Sequence, residues 1–272
     1  MRYRLAWLPL LLLLAASAHA GDAYEPVYIA LIIDDLGERL DLDRRVSDLP
    51  VAVTCAVLPF TPHGREMAER CHRQGKEVML HMPMEADNGA NPGPGALTVD
   101  MHRDQVEAAL AAALADLPHV RGVNNHMGSR FTRDQQRMSW TMQALARHGG
   151  LYFIDSRTSH QTVAAYQAAL HGIPQASRHI FLDHDIEPHL IERQFRSLLL
   201  HAFRHGHAIG IGHPYPETLA LLERVLPRLA QINVHVVPVS ELLARTRPEE
   251  RSPQLWEASL SPSPTAAKSS KP

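Results

Sequence analysis

Short apolar runs that end in an acidic residue or a histidine recur along this chain, and they limit its possible folds more than any other feature. The first run covers residues 29–33 and ends in the adjacent carboxylates Asp34 and Asp35, and a later one ends at His81. A run of this length and composition is typical of a buried strand. In α/β barrels the C-terminal ends of parallel strands meet at one edge, where the chemistry takes place. The sequence therefore predicts a site built from acids and imidazoles at that edge.

Helical patterns lie between the apolar runs, and strands separated by such helices are parallel neighbours joined by right-handed crossovers. This alternation predicts an α/β fold, specifically a distorted (β/α) barrel of seven to eight mostly parallel strands. A doubly wound open sheet is the alternative, but residues 34–39 lack the G-x-G-x-x-G turn of its nucleotide-binding forms. The predicted strands cover residues 28–34, 51–58, 77–82, 120–125, 151–155, 179–183, 207–212 and 234–238. The predicted helices cover residues 62–74, 102–116, 132–148, 160–171, 187–205 and 215–231, with a short helix after Pro238.

The composition suits one buried core and disfavours nucleic acid as a partner. The chain has 272 residues, of which 45% are hydrophobic, and this is enough to bury a single-domain core. Its formal net charge is −2. Nucleic-acid binding takes much of its affinity from Lys and Arg side chains that neutralise phosphates, so the charge balance gives no support to it.

The N-terminus predicts the compartment. Arg2 and Arg4 precede an apolar run at residues 5–16, and residues 18–20 fit a small-x-small cleavage pattern. We therefore expect residues 1–20 to be a signal peptide and the mature protein to be periplasmic or secreted. An uncleaved membrane anchor is the alternative, although the apolar run is shorter than the ~20 residues that span a bilayer.

The rest of the chain divides into a folded part and a polar tail. Residues 21–244 are expected to form the barrel domain, with no further membrane span. Residues 245–272 are rich in Ser and Pro and are predicted to be disordered. Cys55 and Cys71 are the two cysteines, and in an exported protein they could form one disulfide or remain as buried thiols.

Asp34 and Asp35 are the strongest candidates for chemistry. Successive side chains of a strand point to opposite faces, so the two carboxylates meet different environments unless the strand ends there. One could bind a cation while the other acts as a general base toward a water molecule held by the metal. The alternative is structural, with one Asp capping the next helix and the other pairing with an Arg.

His81 and His126 also follow apolar runs and would lie at the mouth of the barrel. Together with an Asp they would form a metal triad. Such a set leaves an open position on Zn²⁺ for water and substrate, and it lowers the pKa of the water toward ~7. Either histidine considered alone is more readily explained as a hydrogen-bonded structural residue.

His213 ends another apolar run, in Gly210-Ile211-Gly212-His213-Pro214, and suits a general acid. A neighbouring carboxylate would keep its imidazole protonated, and either Asp155 or Asp183 could supply it. The alternative is that His213 and Pro214 only begin a loop.

Two arginines and one long loop could contact a substrate. Arg130 and Arg157 follow strand ends, where a guanidinium could hold a substrate oxygen or orient a carboxylate. Ion pairs between neighbouring loops are the structural alternative for both. Residues 87–98, with their Asn-Gly and Pro-Gly clusters, are predicted to be a long loop that lines part of a groove.

Six motifs, taken in order, resemble those of the divergent polysaccharide deacetylase family. This family is an exported branch of the carbohydrate esterases that remove N-acetyl groups from chitin-like or peptidoglycan-like sugars. The resemblance covers roughly residues 27–243. The motifs are Ile33-Asp34-Asp35-Leu36-Gly37, Leu80-His81-Met82-Pro83-Met84-Glu85, Asn124-Asn125-His126-Met127-Gly128-Ser129-Arg130, Phe153-Ile154-Asp155-Ser156-Arg157-Thr158, Phe181-Leu182-Asp183 and Ile211-Gly212-His213-Pro214.

The resemblance implies a distorted (β/α) barrel and assigns roles to the candidate residues. Asp34 becomes the general base, Asp35 a metal ligand and His213 the general acid. Asp155 would orient a catalytic partner.

The second metal motif departs from the wider deacetylase group, which usually takes its other ligands from a His-x-x-x-His element. Here the matching segment begins with His81 and has Glu85 at the second position. Either Glu85 or His126 could complete the site. We favour His126, because imidazole suits zinc and because Asn124 and Asn125 could fix nearby groups.

The expected function is a metal-dependent hydrolase that uses one divalent ion, Zn²⁺, to remove N-acetyl or related acyl groups from an envelope polysaccharide or oligosaccharide, including peptidoglycan fragments. One alternative is a noncatalytic periplasmic protein that binds a glycan or a partner on the same barrel. Glycoside hydrolysis is less favoured, since two adjacent carboxylates are too close in sequence to flank a sugar ring.

Overall fold

Strands and helices alternate through residues 25–246, the part of the chain that the computed structural model describes. The strands are β1 (Val27–Leu36), β2 (Thr54–Val57), β3 (Glu77–Met84), β4 (Val120–Met127), β5 (Tyr152–Asp155), β6 (Gln175–Ser177), β7 (Ile180–Phe181), β8 (His207–Gly212) and β9 (Val234–Val236). The α-helices are α1 (Leu40–Ser47), α2 (Gly64–Arg73), α3 (Arg103–Asp116), α4 (Gln135–His148), α5 (Ala164–Leu170), α6 (Pro188–His205), α7 (Pro216–Val225) and α8 (Val239–Arg245). Two 3-10 helices, Phe131–Arg133 and Leu226–Ile232, adjoin α4 and α7.

These strands form one curled sheet in which every neighbouring pair is parallel, in the order β6-β5-β4-β3-β2-β1-β8-β7. β9 pairs with Val27–Ile29 at the start of β1. It lies on the same edge of β1 as β2, which pairs with β1 from Ile32 onward. The predicted distorted α/β barrel is confirmed as a half-barrel whose ends are β6 and β7. Strand β6 and helix α1 were not predicted from the sequence.

Apolar side chains cover both faces of the sheet. Along β1, Ile29, Leu31 and Ile33 pack in the large cluster that includes the buried faces of the helices. Ala30 and Ile32 pack in a second cluster inside the curl. Because both faces are buried, the strands have nearly continuous apolar sequences rather than alternating ones.

Helix α8 closes the N-terminal end of the half-barrel. Its residues Val239, Leu242 and Leu243 belong to the cluster inside the curl. Glu77, at the start of β3, accepts hydrogen bonds at Oε1 from the Tyr152 hydroxyl (2.8 Å) and from the Ser240 N–H (3.1 Å). The C-terminal ends of the strands therefore form the end at which a site can lie.

One disulfide links the sheet to a helix, and the described chain ends just after α8. A disulfide joins Cys55 of β2 to Cys71 of α2, the first of the two alternatives for these cysteines. Arg245, which the sequence analysis placed in the tail, is the last residue of α8. The predicted signal peptide, and the tail from residue 247 onward, lie outside the described residues. Within residues 25–246, no helix is long and apolar enough to cross a bilayer.

Candidate active site

Side-chain alternation along the strands brings polar groups to the inside of the curl. Asp34 follows the inward-facing Ala30 and Ile32 at the same spacing, and His81 follows the inward-facing Met79. Successive residues of a strand alternate between faces, so both polar side chains also point inward. Each lies at the C-terminal end of its strand, in the space that α8 leaves open.

A β-bulge places Asp35 beside Asp34. Ile33 pairs with Cys55 and Leu36 pairs with Val57, so β1 has one more residue than β2 over this stretch. Asp35 has a φ of 60°, in the left-handed region that Asp tolerates better than most residues. Bulges re-aim side chains in this way next to active sites. Both carboxylates consequently reach the same end of the half-barrel.

The structure brings the three predicted metal ligands together. Asp35 Oδ1 lies 2.8 Å from His126 Nδ1 and 3.1 Å from His81 Nε2, and the two nitrogens are 3.1 Å apart. Within residues 25–246, this is the one set of three Asp, Glu, His or Cys side chains whose ligand atoms lie close enough to share an ion.

The residues of this triad fit a divalent ion. Tetrahedral Zn²⁺ with N and O ligands at about 2.0–2.1 Å separates its ligand atoms by about 3.3 Å, near the observed spacings. Asp35 Oδ1 is buried and has no hydrogen-bond partner of acceptable geometry, although two imidazole nitrogens lie next to it. Buried polar atoms are nearly always satisfied, so an oxygen left in this state points to an ion that it would bind.

The two carboxylates have opposite electrostatic environments. Burial raises the pKa of Asp34, against the opposing charges of His81 and His213. Burial would also raise the pKa of Asp35, but the close contacts and the charges of His126 and His81 outweigh it and hold that pKa well below its usual range. Asp35 is therefore the permanent anion and Asp34 the carboxylate that can take up a proton, as a ligand and a general base require.

His213 is held by Asp183. Its Nδ1 lies 2.9 Å from Asp183 Oδ1, and its backbone N–H donates to Asp183 Oδ2 at 2.6 Å. His213 Nε2 lies 3.8 Å from Asp35 Oδ2, so the imidazole reaches the triad. Burial alone would lower the pKa of His213, but the hydrogen bond and charge of Asp183 raise it to about 9, with Asp34 and Asp35 contributing.

Asp155 does not orient His213, and that part of the prediction is wrong. Along β5, Phe153 faces the helices, and the same alternation carries Asp155 away from the inside of the curl. Its Oδ1 accepts from the Arg157 N–H at 2.8 Å and its Oδ2 from the Thr162 hydroxyl at 2.9 Å. Asp155 thus stabilises the turn after β5.

Glu85 is not part of the triad, which agrees with the choice of His126. Glu85 Oε1 accepts from Arg130 Nη1 at 2.7 Å, and Oε2 accepts from the Val99 N–H at 2.7 Å. Arg130 was predicted either to bind substrate or to form an ion pair between loops. In the structure it forms an ion pair with Glu85, which connects β3 and the following loop to the turn after β4. Arg157 is exposed at the rim with a left-handed φ of 51°. It stays a candidate for substrate contact.

Sequence reasoning missed Arg178 and gave no role to Phe181. Arg178 donates from Nε to the Ser156 carbonyl at 2.7 Å, and its guanidinium lies 4.9 Å from the centre of the Phe181 ring. The Phe181 ring is in turn 5.4 Å from the His213 ring. No motif marked Arg178, because its partners are backbone carbonyls that only the folded chain brings near.

Comparisons with known sequences point to one family. A family model described as divergent polysaccharide deacetylase matches residues 31–243. YibQ of Escherichia coli K12, an uncharacterized protein, is 36% identical over 225 residues, which are 83% of this chain and 70% of YibQ. An uncharacterized protein of Haemophilus influenzae Rd is 34% identical over 238 residues, which are 88% of this chain and 84% of that protein.

Solved structures show the same fold. An uncharacterized protein from Agrobacterium tumefaciens C58 has a TM-score of 0.77 at 25% identity, over 83% of this chain and 92% of that protein. A CE4-family pseudoenzyme from Bacillus anthracis has a TM-score of 0.51 at 13% identity, over 81% of this chain and 66% of that protein. At that identity the second likeness concerns the fold alone.

The curled parallel sheet, with helices outside it and polar groups at its C-terminal end, defines a protein with the polysaccharide deacetylase fold. More narrowly, this chain belongs to the divergent polysaccharide deacetylase family, and the resemblance in the sequence motifs is confirmed.

Proposed function

We propose that this protein is a metal-dependent hydrolase that removes N-acetyl or related acyl groups from a polysaccharide or oligosaccharide of the cell envelope. One observation carries the proposal. The compact set of Asp35, His81 and His126 includes a buried oxygen without a donor, and Asp34 and His213 flank that set. Membership of the family supports a carbohydrate substrate.

The chemistry divides among these side chains. The triad suits Zn²⁺, which when bound supplies a Lewis acid for the acyl carbonyl and for the hydrolytic water. Asp34 uses one oxygen, Oδ1, to accept from Asn124 Nδ2 at 2.8 Å, whereas Oδ2 lies 3.6 Å from His81 Nε2 and faces the triad. Asp34 Oδ2 is thus the atom that accepts a proton from the attacking water.

His213 provides the second proton transfer. Because Asp183 accepts at Nδ1, the protonated imidazole presents its Nε2–H toward the triad. That proton goes to the amine nitrogen as the amide C–N bond breaks. Water supplies the oxygen of the new carboxylate, so the products are acetate and a free amine on the sugar.

The decisive experiment measures acetate release. The protein is stripped of metal with a chelator, reloaded with Zn²⁺ and incubated with N-acetylated chito-oligosaccharides and peptidoglycan fragments. We expect acetate from the reloaded protein only, and a fall in kcat of about 10²–10⁴-fold for Asp34→Asn, the range for loss of a general base. Asp104→Asn, at an exposed position in the first turn of α3, is the control and should match wild type.

Other outcomes distinguish the alternatives. Tight Zn²⁺ binding without acetate from any substrate would contradict the proposed hydrolysis. If glycan binding persisted in that case, the noncatalytic binding protein would be favoured. New reducing ends without acetate would indicate glycoside cleavage instead.

We also propose that the protein is periplasmic or secreted. The disulfide between Cys55 and Cys71 supports this, because disulfides persist in oxidising compartments. Mass spectrometry of the protein from its native host should find Gly21 as the first residue. A chain in the membrane fraction that still begins at Met1 would support the uncleaved anchor.

A further inference from the structure

Asn124 lies between the two halves of the proposed site without belonging to either. It is fully buried on β4, and its Cα is the register partner of His81 on β3. Alternation along β4 places Asn124 and His126 on the same face. Both ends of its amide are hydrogen-bonded, to Asp34 and to His81, so Asn124 is neither the base nor a ligand in the proposed function.

With Asp34 ionised, as a general base must be, the Asn124 amide can have only one orientation. Asn124 Nδ2 lies 2.8 Å from Asp34 Oδ1 and 3.3 Å from the Ser156 hydroxyl. An ionised carboxylate only accepts hydrogen bonds, so the NH₂ group must face Asp34. The amide oxygen then faces His81, with Oδ1 2.8 Å from Nδ1.

This orientation fixes the tautomer of His81. An amide oxygen only accepts, so His81 Nδ1 must carry the hydrogen. In the neutral imidazole the lone pair then lies on Nε2, the atom that is 3.1 Å from Asp35 Oδ1 and 3.1 Å from His126 Nδ1. A neutral imidazole that donates from its other nitrogen to a fixed acceptor is the form in which histidine binds metals.

The same amide also selects one oxygen of Asp34. Because Oδ1 is occupied by Asn124, Oδ2 is left to face the triad, 3.6 Å from His81 Nε2. One side chain therefore sets the state of a ligand and the direction of the base. Reversing the amide would break both hydrogen bonds.

We infer that Asn124 is a positioning residue that fixes the His81 tautomer for metal binding and leaves Asp34 Oδ2 free for proton transfer. The inference rests on the proposed metal-dependent function. Two substitutions of similar size separate its two parts. Asn124→Asp keeps an acceptor for His81 Nδ1–H but replaces the amide donor to Asp34 with a second carboxyl that shares a proton with it, and Asn124→Leu removes both hydrogen bonds.

Nuclear magnetic resonance tests the tautomer directly. Long-range ¹H–¹⁵N spectra of metal-free protein with ¹⁵N-labelled histidine would report which nitrogen of His81 carries the hydrogen, with the His81 signals assigned by their loss in His81→Ala. The spectra are recorded at a pH high enough to make the imidazole neutral, because burial would lower the pKa of His81 but Asp34 and Asp35 outweigh it and raise that pKa. We expect the Nδ1–H form in wild type and in Asn124→Asp, and averaged nitrogen shifts in Asn124→Leu. Asn125→Leu is the matched control, because buried Asn125 bonds to the Met127 carbonyl and the Ser156 N–H rather than to the site.

Metal affinity and turnover give two further readouts. Competition with a chromophoric chelator should show Zn²⁺ binding about 10–100-fold weaker in Asn124→Leu, the usual cost of losing a partner of a ligand histidine. Asn124→Asp should keep an affinity within about threefold of wild type, while its kcat for acetate release falls by at least about tenfold.

Several results would overturn the inference. A pure Nδ1–H tautomer together with wild-type Zn²⁺ affinity in Asn124→Leu would show that Asn124 does not fix the His81 tautomer. An unchanged kcat in Asn124→Asp would show that Asn124 does not direct Asp34 Oδ2 toward proton transfer. If Asn124→Leu does not fold, Asn124→Ala takes its place with the same expectations. Failure of wild-type protein to bind Zn²⁺ would contradict the proposed function, whereas the tautomer spectra would still decide the first part of the inference.

Discussion

The two ends of the half-barrel surround an acidic side chain differently: Glu77 is buried, and Asp35 is half-buried with its Oδ1 shielded from solvent. At the N-terminal end, Glu77 Oε1 receives hydrogen bonds from Tyr152, Ser240 and Thr54. At the C-terminal end, Asp35 Oδ1 receives none of acceptable geometry. A carboxylate that supports the fold is surrounded by donors, whereas one that binds an ion is left with its lone pairs free. Together with the two imidazole nitrogens beside Asp35 Oδ1, this contrast marks the candidate site.

The largest expected effect is on metal binding at the C-terminal end. His126→Ala removes one of three ligands, so we expect Zn²⁺ affinity to fall by more than about 100-fold, beyond the cost of losing a supporting residue. The metal-free variant also loses the contact between His126 and Asp35, so its melting temperature is measured alongside to establish that it still folds. Unchanged affinity, measured by chelator competition, would remove His126 from the ligand set.

The next effect is on stability at the N-terminal end. Glu77→Leu leaves the Tyr152 hydroxyl and the Ser240 N–H without their acceptor. We expect the free energy of unfolding in urea to fall by about 3 kcal/mol, because each buried donor left unpaired costs about 1–3 kcal/mol. Zn²⁺ affinity should not change. If Glu77→Leu lost as much Zn²⁺ affinity as His126→Ala, Glu77 could not be assigned a purely structural role.

Asp43 offers a third comparison, because it is a buried carboxylate near the site that also has an unsatisfied oxygen. Its Oδ2 accepts from the Gly37 N–H at 2.8 Å, and burial raises its pKa from 3.8 to about 6 despite the opposing backbone hydrogen bonds. A raised pKa means that the folded form binds the extra proton. The cost to stability is therefore absent below pH 3.8 and complete above about pH 6.

Asp43→Asn keeps an acceptor for Gly37 but cannot ionise. Relative to wild type, its free energy of unfolding should rise by about 2 kcal/mol between pH 4 and pH 7, as linkage requires. Urea unfolding of both proteins across this pH range measures the difference. A difference that does not vary with pH would show that Asp43 titrates normally.

The smallest effect is expected at Glu85, the ligand that the family motif suggested. Its ion pair with Arg130 is partly exposed, so Glu85→Ala should cost about 1 kcal/mol or less. Its Zn²⁺ affinity should stay within about threefold of wild type, since His126 is the proposed third ligand. A large loss of affinity would restore Glu85 as a ligand and displace His126.

Strand periodicity predicted much of the fold and of the site. Apolar runs located β1, β3, β4 and β8, because strands buried on both faces have little else in their sequence. The C-terminal ends of these strands then supplied Asp34, His81, His126 and His213. Helix α1 was missed because Leu40–Ser47 is short, contains four charged residues and has no side-chain cap at Arg39.

The alternation of side chains along β5 also carries information about Asp155. Two residues before Asp155, Phe153 already faces the helices, so the parity of β5 argues against a role for Asp155 beside His213. The bulge at Asp35 could not be predicted, since it depends on the pairing of β1 with β2. The choice of Asp183 also required the folded chain, because only the structure places its carboxylate against the backbone N–H and the ring Nδ1 of His213.

The position of β9 bears on when the chain can fold. Val27, at the start of the central strand, pairs with Val234, about 200 residues later in synthesis. Contacts so distant along the chain form slowly. The sheet therefore cannot be completed until nearly the whole of the described chain is available, and a fragment that ends before β9 would leave part of the edge of β1 uncovered.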